Sequence, residues 1–211
     1  MKISGFFWAL ILIGLLAACT PAVTFDEPQP AGSKDLTRFP KRIRGEYISL
    51  NDNSVLLVTE KLIQRIYDHD FKIKSNELDS GMILRNDTLI NRTNNEKMVV
   101  RKEGDSLVGH IRYVDTVFSL SRDQILKKFK GYYFLNTRYF DQNWEVKKLS
   151  LHRGKLNISS ISAENELEKL VEITESPQDT IPPYKFTATK RQFKAFVKQE
   201  GFTDTETFIR K

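Results

Sequence analysis

Residues 146–161, with the sequence VKKLSLHRGKLNISSI, place apolar side chains on both sides of a two-residue turn at Arg153-Gly154. Alternation with a period of two is typical of a half-buried β-strand, and a two-residue turn joins antiparallel strands. The stretch therefore predicts a β-hairpin. The side chains expected to face one another are Val146, Leu149 and Leu151 on the first strand and Leu156, Ile158 and Ile161 on the second.

Similar short apolar segments recur on the N-terminal side of this hairpin. Polar turn residues such as Asn51-Asp52-Asn53 and Asn94-Asn95 separate them. Many short strands at close spacing predict an antiparallel β-meander, and hence a mainly β (α+β) fold. The segments are centred on residues 43–50, 55–58, 63–67, 71–73, 82–84, 89, 98–100, 107–111, 117–120 and 132–135.

The end of the chain contains helical patterns instead. Leu167, Leu170 and Val171 recur at helical spacing among glutamates, which predicts a short amphipathic helix over residues 163–171. Three prolines, Pro177, Pro182 and Pro183, then predict a loop.

An internal repeat suggests how these elements are grouped. The string KRIRGEYI at residues 41–48 is echoed by KKFKGYYF at residues 127–134, and Asp115-Thr116 is echoed by Asp179-Thr180. Two capping boxes, Ser121 with Gln124 and Thr189 with Gln192, each precede an apolar stretch. We therefore predict two tandem copies of one β-meander module, each ending in a short capped helix. The modules would span residues 41–128 and 129–211, and the alternative is a chance recurrence of basic-aromatic-glycine strings.

The first 19 residues have the pattern of a targeting signal. Lys2 is followed by an apolar run over residues 6–16, too short to span a bilayer comfortably, and then by Ala17-Ala18-Cys19. This pattern resembles the lipobox of bacterial lipoproteins. The resemblance implies that residues 1–18 are a signal peptide, that Cys19 carries lipid, and that the mature protein is anchored to a membrane.

The residue that follows Cys19 indicates to which membrane the lipoprotein would be sorted. Thr20 resembles the class sorted to the outer membrane, and residues 20–24 lack the acidic cluster that marks surface export. We expect the protein to face the periplasm, with the cell surface as the alternative. Cys19 is the only cysteine, so no disulfide is expected.

Residues 19–40 differ in composition from the rest of the chain. Prolines and a glycine replace most apolar residues, which predicts a flexible tether. Such a tether would reach at most about 65 Å and more typically about 25 Å.

Gly45 and Gly131, each followed two residues later by tyrosine, resemble the G-x-W strand that opens lipocalin-type barrels. This resemblance covers a few residues and implies a single β-barrel, which competes with the tandem modules. An eight-stranded barrel has room for one small apolar ligand.

The net charge of the chain indicates which classes of partner it favours. The chain has 33 lysines and arginines against 27 acidic residues, and loss of Lys2 leaves the mature chain at a formal charge of +5. Such a balance favours anionic lipids or glycans over nucleic acid, and interspersed acidic residues favour an ordinary solvated surface.

No motif predicts catalysis. Three adjacent strand residues, Asp68-His69-Asp70, cannot all turn to one metal ion, and His110 and His152 are isolated. The sequence lacks a G-x-S-x-G elbow, a Walker loop and a dinucleotide-binding motif. We predict no catalytic residue, no metal site and no cofactor.

Four aspartate-hydroxyl-apolar triplets resemble the acceptor pattern of a bacterial O-glycosylation system, although the same residues also punctuate turns. The acceptors would be Thr88, Ser106, Thr116 and Thr180.

These observations favour a lipid-anchored envelope protein that acts as a non-enzymatic binding or scaffold module, docking on another envelope component. The alternatives are a lipocalin-like carrier of a small apolar ligand and, more distantly, a cell-wall or lipid hydrolase.

Overall fold

A computed structural model describes residues 21–162, 164–175 and 181–211, apart from the side chain of Asp141. The described residues form a mainly β structure with two α-helices. Its strands are β1 (Val23–Phe25), β2 (Asp35–Leu36), β3 (Gly45–Ser49), β4 (Val55–Val58), β5 (Leu62–Lys74), β6 (Met82–Arg85), β7 (Thr88–Asn91), β8 (Lys97–Glu103), β9 (Ser106–Ser119), β10 (Gln124–Phe129), β11 (Tyr132–Arg138), β12 (Trp144–His152), β13 (Lys155–Ser160), β14 (Tyr184–Phe186) and β15 (Asp204–Arg210). The helices are α1 (Glu164–Thr174) and α2 (Lys190–Lys198).

The strands join one open, almost entirely antiparallel sheet. Its order is β2-β10-β11-β12-β13-β15-β3-β4-β5-β9-β8-β7-β6, and β1 joins it by pairing with β12. The predicted mainly β, antiparallel class is confirmed. The hairpin over residues 146–161 also forms, since β12 and β13 pair across the turn with Leu149 opposite Ile158 and Leu151 opposite Leu156.

Most of the sheet curls around one hydrophobic core. Side chains from nine strands, β3–β5, β9–β13 and β15, point into it, and Tyr47, Phe118 and Phe208 are each at most 1% exposed. Large rings therefore fill the space that a ligand would occupy in a lipocalin-like barrel. The sheet is open, so the alternative of a single closed lipocalin-like barrel is not formed.

A second core lies on the outer face of β11 and β12. There α1, α2, β1 and β14 pack on Phe134 and Val146. Helix α1 covers the predicted residues 164–171 and continues to Thr174. Helix α2 begins at the predicted capping box, in which the Thr189 hydroxyl accepts from the Gln192 N–H and the Gln192 side chain binds the Thr189 N–H.

The predicted tether is wrong for residues 23–40. Val23, Phe25 and Phe39 are buried in the two cores, and β1 pairs with β12 and β14. Gln29 is fully buried and exchanges hydrogen bonds with Asn136, whose Oδ1 accepts from the Gln29 N–H at 2.6 Å while its Nδ2 donates to the Gln29 carbonyl at 3.0 Å. The folded body therefore begins within four residues of Cys19.

The first predicted capped helix is also wrong. Residues after Ser121 form β10, and the Ser121 N–H closes a turn on the Gln124 carbonyl. The echoed strings differ as well, because residues 41–43 form a 3-10 helix before β3, whereas residues 127–129 end β10 and Gly131 lies in its hairpin turn. The nine strands of the main core come from both proposed modules, so the structure does not support separate modules at 41–128 and 129–211.

An arm projects from this body. Strands β5 and β9 pair along their full lengths, but β4 leaves β5 after Ile66, and β8 meets β9 only over residues 106–109. Residues 67–70 and 110–113 thus form a two-stranded neck within the described chain. Beyond it, β6, β7 and β8 complete a distal lobe with its own small core of Leu89, Val100 and Leu107.

Candidate functional site

The curled sheet ends in a cleft of about 520 Å³. Its floor is the edge of the main core, formed by Leu56, Ile158 and Phe208. Its walls come from β5 and β9 on one side and from β12, β13 and β15 on the other. The charged side chains that line it are Arg65, Asp115, Lys147, Asp204 and Glu206.

Arg65 is the central cation of the cleft. Its guanidinium forms an ion pair with Glu206, and its Nε donates to the Ser54 hydroxyl at 3.0 Å. The group lies 5.3 Å from the ring centre of Phe208 and 5.7 Å from that of Tyr67, which adds two cation–π contacts. These contacts hold the Arg65 charge in one place at the floor of the cleft.

The carboxylate of Asp52 is linked to Arg65 through Ser54. The Asp52 Oδ1 accepts hydrogen bonds from the Ser54 hydroxyl at 2.7 Å and from the Ser54 N–H at 3.0 Å. Burial by itself would raise the pKa of Asp52, but these hydrogen bonds and the Arg65 charge outweigh it, so that the pKa is lowered. Asp52 therefore remains ionised and extends the chain of polar contacts from Arg65 to the β3–β4 turn.

The other charges in the cleft are less constrained. Lys147 pairs with Glu145 at 3.3 Å, two residues earlier on the same strand. Asp115 and Asp204 are exposed, and neither forms an ion pair with any residue that the structure describes. The cleft thus presents a lysine and two unpaired carboxylates to whatever enters it.

The arm has one apolar face, which forms a groove of about 420 Å³. Phe71 lies across Gly109, where an added Cβ would come within 2.6 Å of the ring, so the glycine allows this close packing. Leu84 at the edge of the lobe is 38% exposed. The apolar residues that line the groove are Phe71, Ile73, Leu78, Met82, Leu89, Met98 and Ile111.

The cleft and the groove lie on the same face of β5 and β9. Alternate residues of a strand share a face, so the side of β5 that carries Ile63 in the core also carries Arg65, Tyr67 and Phe71. The register pairs Arg65 with Asp115 and Tyr67 with Tyr113 on this face. The two tyrosine rings, 6.1 Å apart, mark the boundary between the charged cleft and the apolar groove.

The chain enters the body beside the cleft. A smaller cavity of about 260 Å³, lined by residues that include Pro21, Ser160 and Asp204, adjoins it. Ser160 and Asp204 also line the cleft, so the two cavities share a wall. Cys19 lies outside the described residues, but it is two residues from Pro21, a reach of about 7 Å at most.

The histidines stand apart from the cleft. On the neck, His110 meets Asp68 through Nε2 at 3.1 Å and Asp70 through Nδ1 at 3.0 Å. His69 points to the opposite face, the one that carries Tyr67 and Phe71, where it lies opposite Ile111 of the groove but does not line the cleft. In the described residues, no group of histidine, cysteine and carboxylate side chains is arranged to hold a metal ion.

The candidate glycosylation residues differ in exposure. Thr116 is exposed on β9 and Thr88 is half-buried, whereas Ser106 is only 5% exposed and donates from its hydroxyl to Asp105. Ser106 is therefore a poor acceptor in the folded protein. Thr180 lies outside the described residues.

Sequence reasoning did not find the cleft. Its ion pair joins Arg65 to Glu206, which are far apart in the chain, and neither residue belongs to a motif. The pattern that could have indicated the cleft is a charged residue at an inward-facing position of an apolar strand. Arg65 lies two residues after Ile63, and Glu206 lies two residues before Phe208. Such positions mark the end of a core.

Searches of protein-family models, curated proteins and solved structures find no match to this chain. Among the described residues, no helix is long and apolar enough to cross a membrane.

Proposed function

We propose that this chain is a lipid-anchored protein of the bacterial outer membrane, facing the periplasm, that acts as a non-enzymatic binding module. Acylated Cys19 would hold it on the bilayer, and the cleft with the adjoining arm would be its binding surface. The observation that carries the proposal is the position of Pro21 beside the cleft, two residues after Cys19. A body anchored there would keep its binding surface close to the membrane.

The short connection supports this arrangement over a tethered one. Val23 is 3% exposed and Phe25 is fully buried, so only a few residues separate the lipid from the second core. A body attached so closely cannot search a wide volume, and its partner or ligand would have to lie at the membrane surface.

Binding is favoured over catalysis by the chemistry of the cleft. Arg65 is committed to Glu206, Ser54 and two aromatic rings. His69 and His110 lie on the neck and His152 lies at the far end of β12, so no described histidine lines the cleft as a general base. These groups fit recognition of a charged molecule better than proton transfer.

The test of the anchor is a Cys19→Ser variant of the full-length protein expressed in its native host. We expect the wild type to incorporate labelled palmitate and to float with membrane vesicles in a density gradient, and the variant to do neither. A Thr20→Ser variant, which keeps the cysteine, should behave as the wild type. Unchanged palmitate labelling and flotation of the serine variant would refute the proposal.

A second candidate function is a carrier of an amphiphilic molecule. The observation that favours it is the continuous face that links the charged cleft to the apolar groove of the arm. In this version the ligand would lie at the open end of the sheet, because the core itself is filled.

A further inference from the structure

We infer that the cleft and the apolar face of the arm together bind one phospholipid molecule, with its zwitterionic headgroup in the cleft and an acyl chain along the arm. This inference rests on the proposed function, since the bilayer that holds Cys19 would supply the lipid. It assigns a ligand class to the binding surface.

The first argument is the order of chemistry along one strand face. Moving outward from Ile63 in the core, this face of β5 carries Arg65, then Tyr67 and the exposed His69, then Phe71 and Ile73. A charged region, a boundary formed by Tyr67 and His69, and an apolar region thus follow one another. Tyrosine is suited to such a boundary because its ring is apolar and its hydroxyl is polar.

The second argument is length. Tyr67 and Ile73 are six strand residues apart, which corresponds to about 20 Å at the rise of an antiparallel strand. One leaflet of a bilayer has about 15 Å of hydrocarbon depth. The arm is therefore long enough to cover most of an acyl chain whose headgroup stays in the cleft.

The third argument is charge complementarity. A zwitterionic headgroup carries a phosphate and an ammonium group. Asp115 and Asp204 have no ion-pair partner in the described chain and would receive the ammonium, while Lys147 could exchange its pair with Glu145 for the phosphate. Both signs of charge are thus available on the walls of one cleft.

The fourth argument is access. Pro21 adjoins the cleft on the wall formed by β13 and β15, and the arm leaves from the opposite wall formed by β5 and β9. Pro21, two residues from Cys19 in the sequence, therefore lies at the end of the sheet that carries the arm. A lipid could leave the bilayer and enter the cleft without crossing the packed core.

The experiment reconstitutes the full-length acylated protein into phosphatidylethanolamine and phosphatidylglycerol vesicles. These contain a trace of phosphatidylethanolamine with a photoreactive diazirine at the end of one acyl chain. After illumination, mass spectrometry of peptides locates the crosslinks. We expect them on the groove, at residues such as Phe71, Met82, Met98 and Ile111.

Matched variants test the face itself. Ile111→Asp puts a charge into the groove and should reduce crosslinking there about tenfold or more, because a carboxylate desolvates poorly against an acyl chain. Val99→Asp puts the same charge on the opposite face of the lobe, where Val99 is 72% exposed, and should leave crosslinking unchanged. Leu84→Asp, on the edge strand opposite the groove residue Leu89, gives the same test should the lobe of Ile111→Asp fail to fold.

A headgroup control separates a lipid site from simple insertion of the arm into the bilayer. Photoreactive diacylglycerol has the same chains but no phosphoethanolamine, and it should label the groove about tenfold less than the phospholipid. Equal labelling by the two lipids, or labelling confined to residues near Pro21, would overturn the inference.

The two proposals fail in different ways. A protein that floats with vesicles but shows no crosslink on the arm keeps its anchor and loses the lipid site. A protein that does not float loses the anchor, and crosslinking in mixed detergent micelles containing the same photoreactive lipid then tests the site alone.

Discussion

Replacing Asn136 by leucine should detach the N-terminal segment from the body. Asn136 is fully buried on β11, and its side chain satisfies both the N–H and the carbonyl of Gln29. Leucine has nearly the same size but can neither donate nor accept. Because Gln29 is also fully buried, the substitution leaves two main-chain polar groups without partners and without water.

The expected cost follows from these two groups. An unsatisfied buried donor or acceptor costs about 1–3 kcal/mol, so the two groups together should lower the free energy of unfolding of Asn136→Leu by about 2–6 kcal/mol. A whole domain is stable by only about 5–15 kcal/mol. The effect should therefore be large in urea unfolding followed by Trp144 fluorescence, and the Gln29 amide should lose its protection from hydrogen exchange.

Asn157→Leu is the matched control. The Asn157 Oδ1 is buried but has no hydrogen-bond partner in the described chain, so its removal leaves no other polar group without a partner. This variant should cost less than about 1 kcal/mol. If Asn136→Leu proves equally mild and the Gln29 amide stays protected, the idea that this asparagine fastens the segment is refuted.

Three further substitutions test other parts of the fold. Gly201→Ala would drive a Cβ into the Phe196 ring in the second core and should cost about 1–3 kcal/mol in urea unfolding; a neutral result would mean that the ring can move aside. Thr189→Ala removes the hydroxyl of the α2 capping box and should cost about 1 kcal/mol, whereas Thr189→Ser should cost little; equal losses would contradict a capping role. Burial lowers the pKa of Lys127 below 10.5, so the unfolded chain binds this proton more tightly than the folded protein, and stability should rise with pH between the lowered value and 10.5. Lys127→Met should lack that part of the rise when both proteins are unfolded in urea over an alkaline pH series, and parallel pH profiles would contradict this assignment.

Local patterns predicted the elements whose partners are close in the chain. The β12–β13 hairpin forms because alternation and a two-residue turn act on neighbouring strands. Helix α2 forms because Thr189 and Gln192 complete their capping box within one turn. The similar box at Ser121 fails because residues 124–129 gain more from pairing with β11 and β2 on their two sides.

Long-range partners were not predictable in the same way. Residues 23–40 are poor in apolar side chains, yet Phe25 and Phe39 reach two different cores, and Gln29 finds Asn136 more than a hundred residues away. Composition counts apolar residues but does not show where each of them packs. The cleft depends likewise on Arg65 and Glu206, which meet only after the sheet has curled.

The two-stranded neck has a consequence for how this molecule comes apart. The distal lobe has its own small core, and within the described chain only residues 67–70 and 110–113 join it to the large one. A two-stranded ribbon couples the unfolding of the lobe only weakly to the unfolding of the curled sheet. Heating should therefore melt the lobe as a separate unit while the curled sheet stays intact. A protease that cuts the loosened lobe would leave behind a resistant fragment.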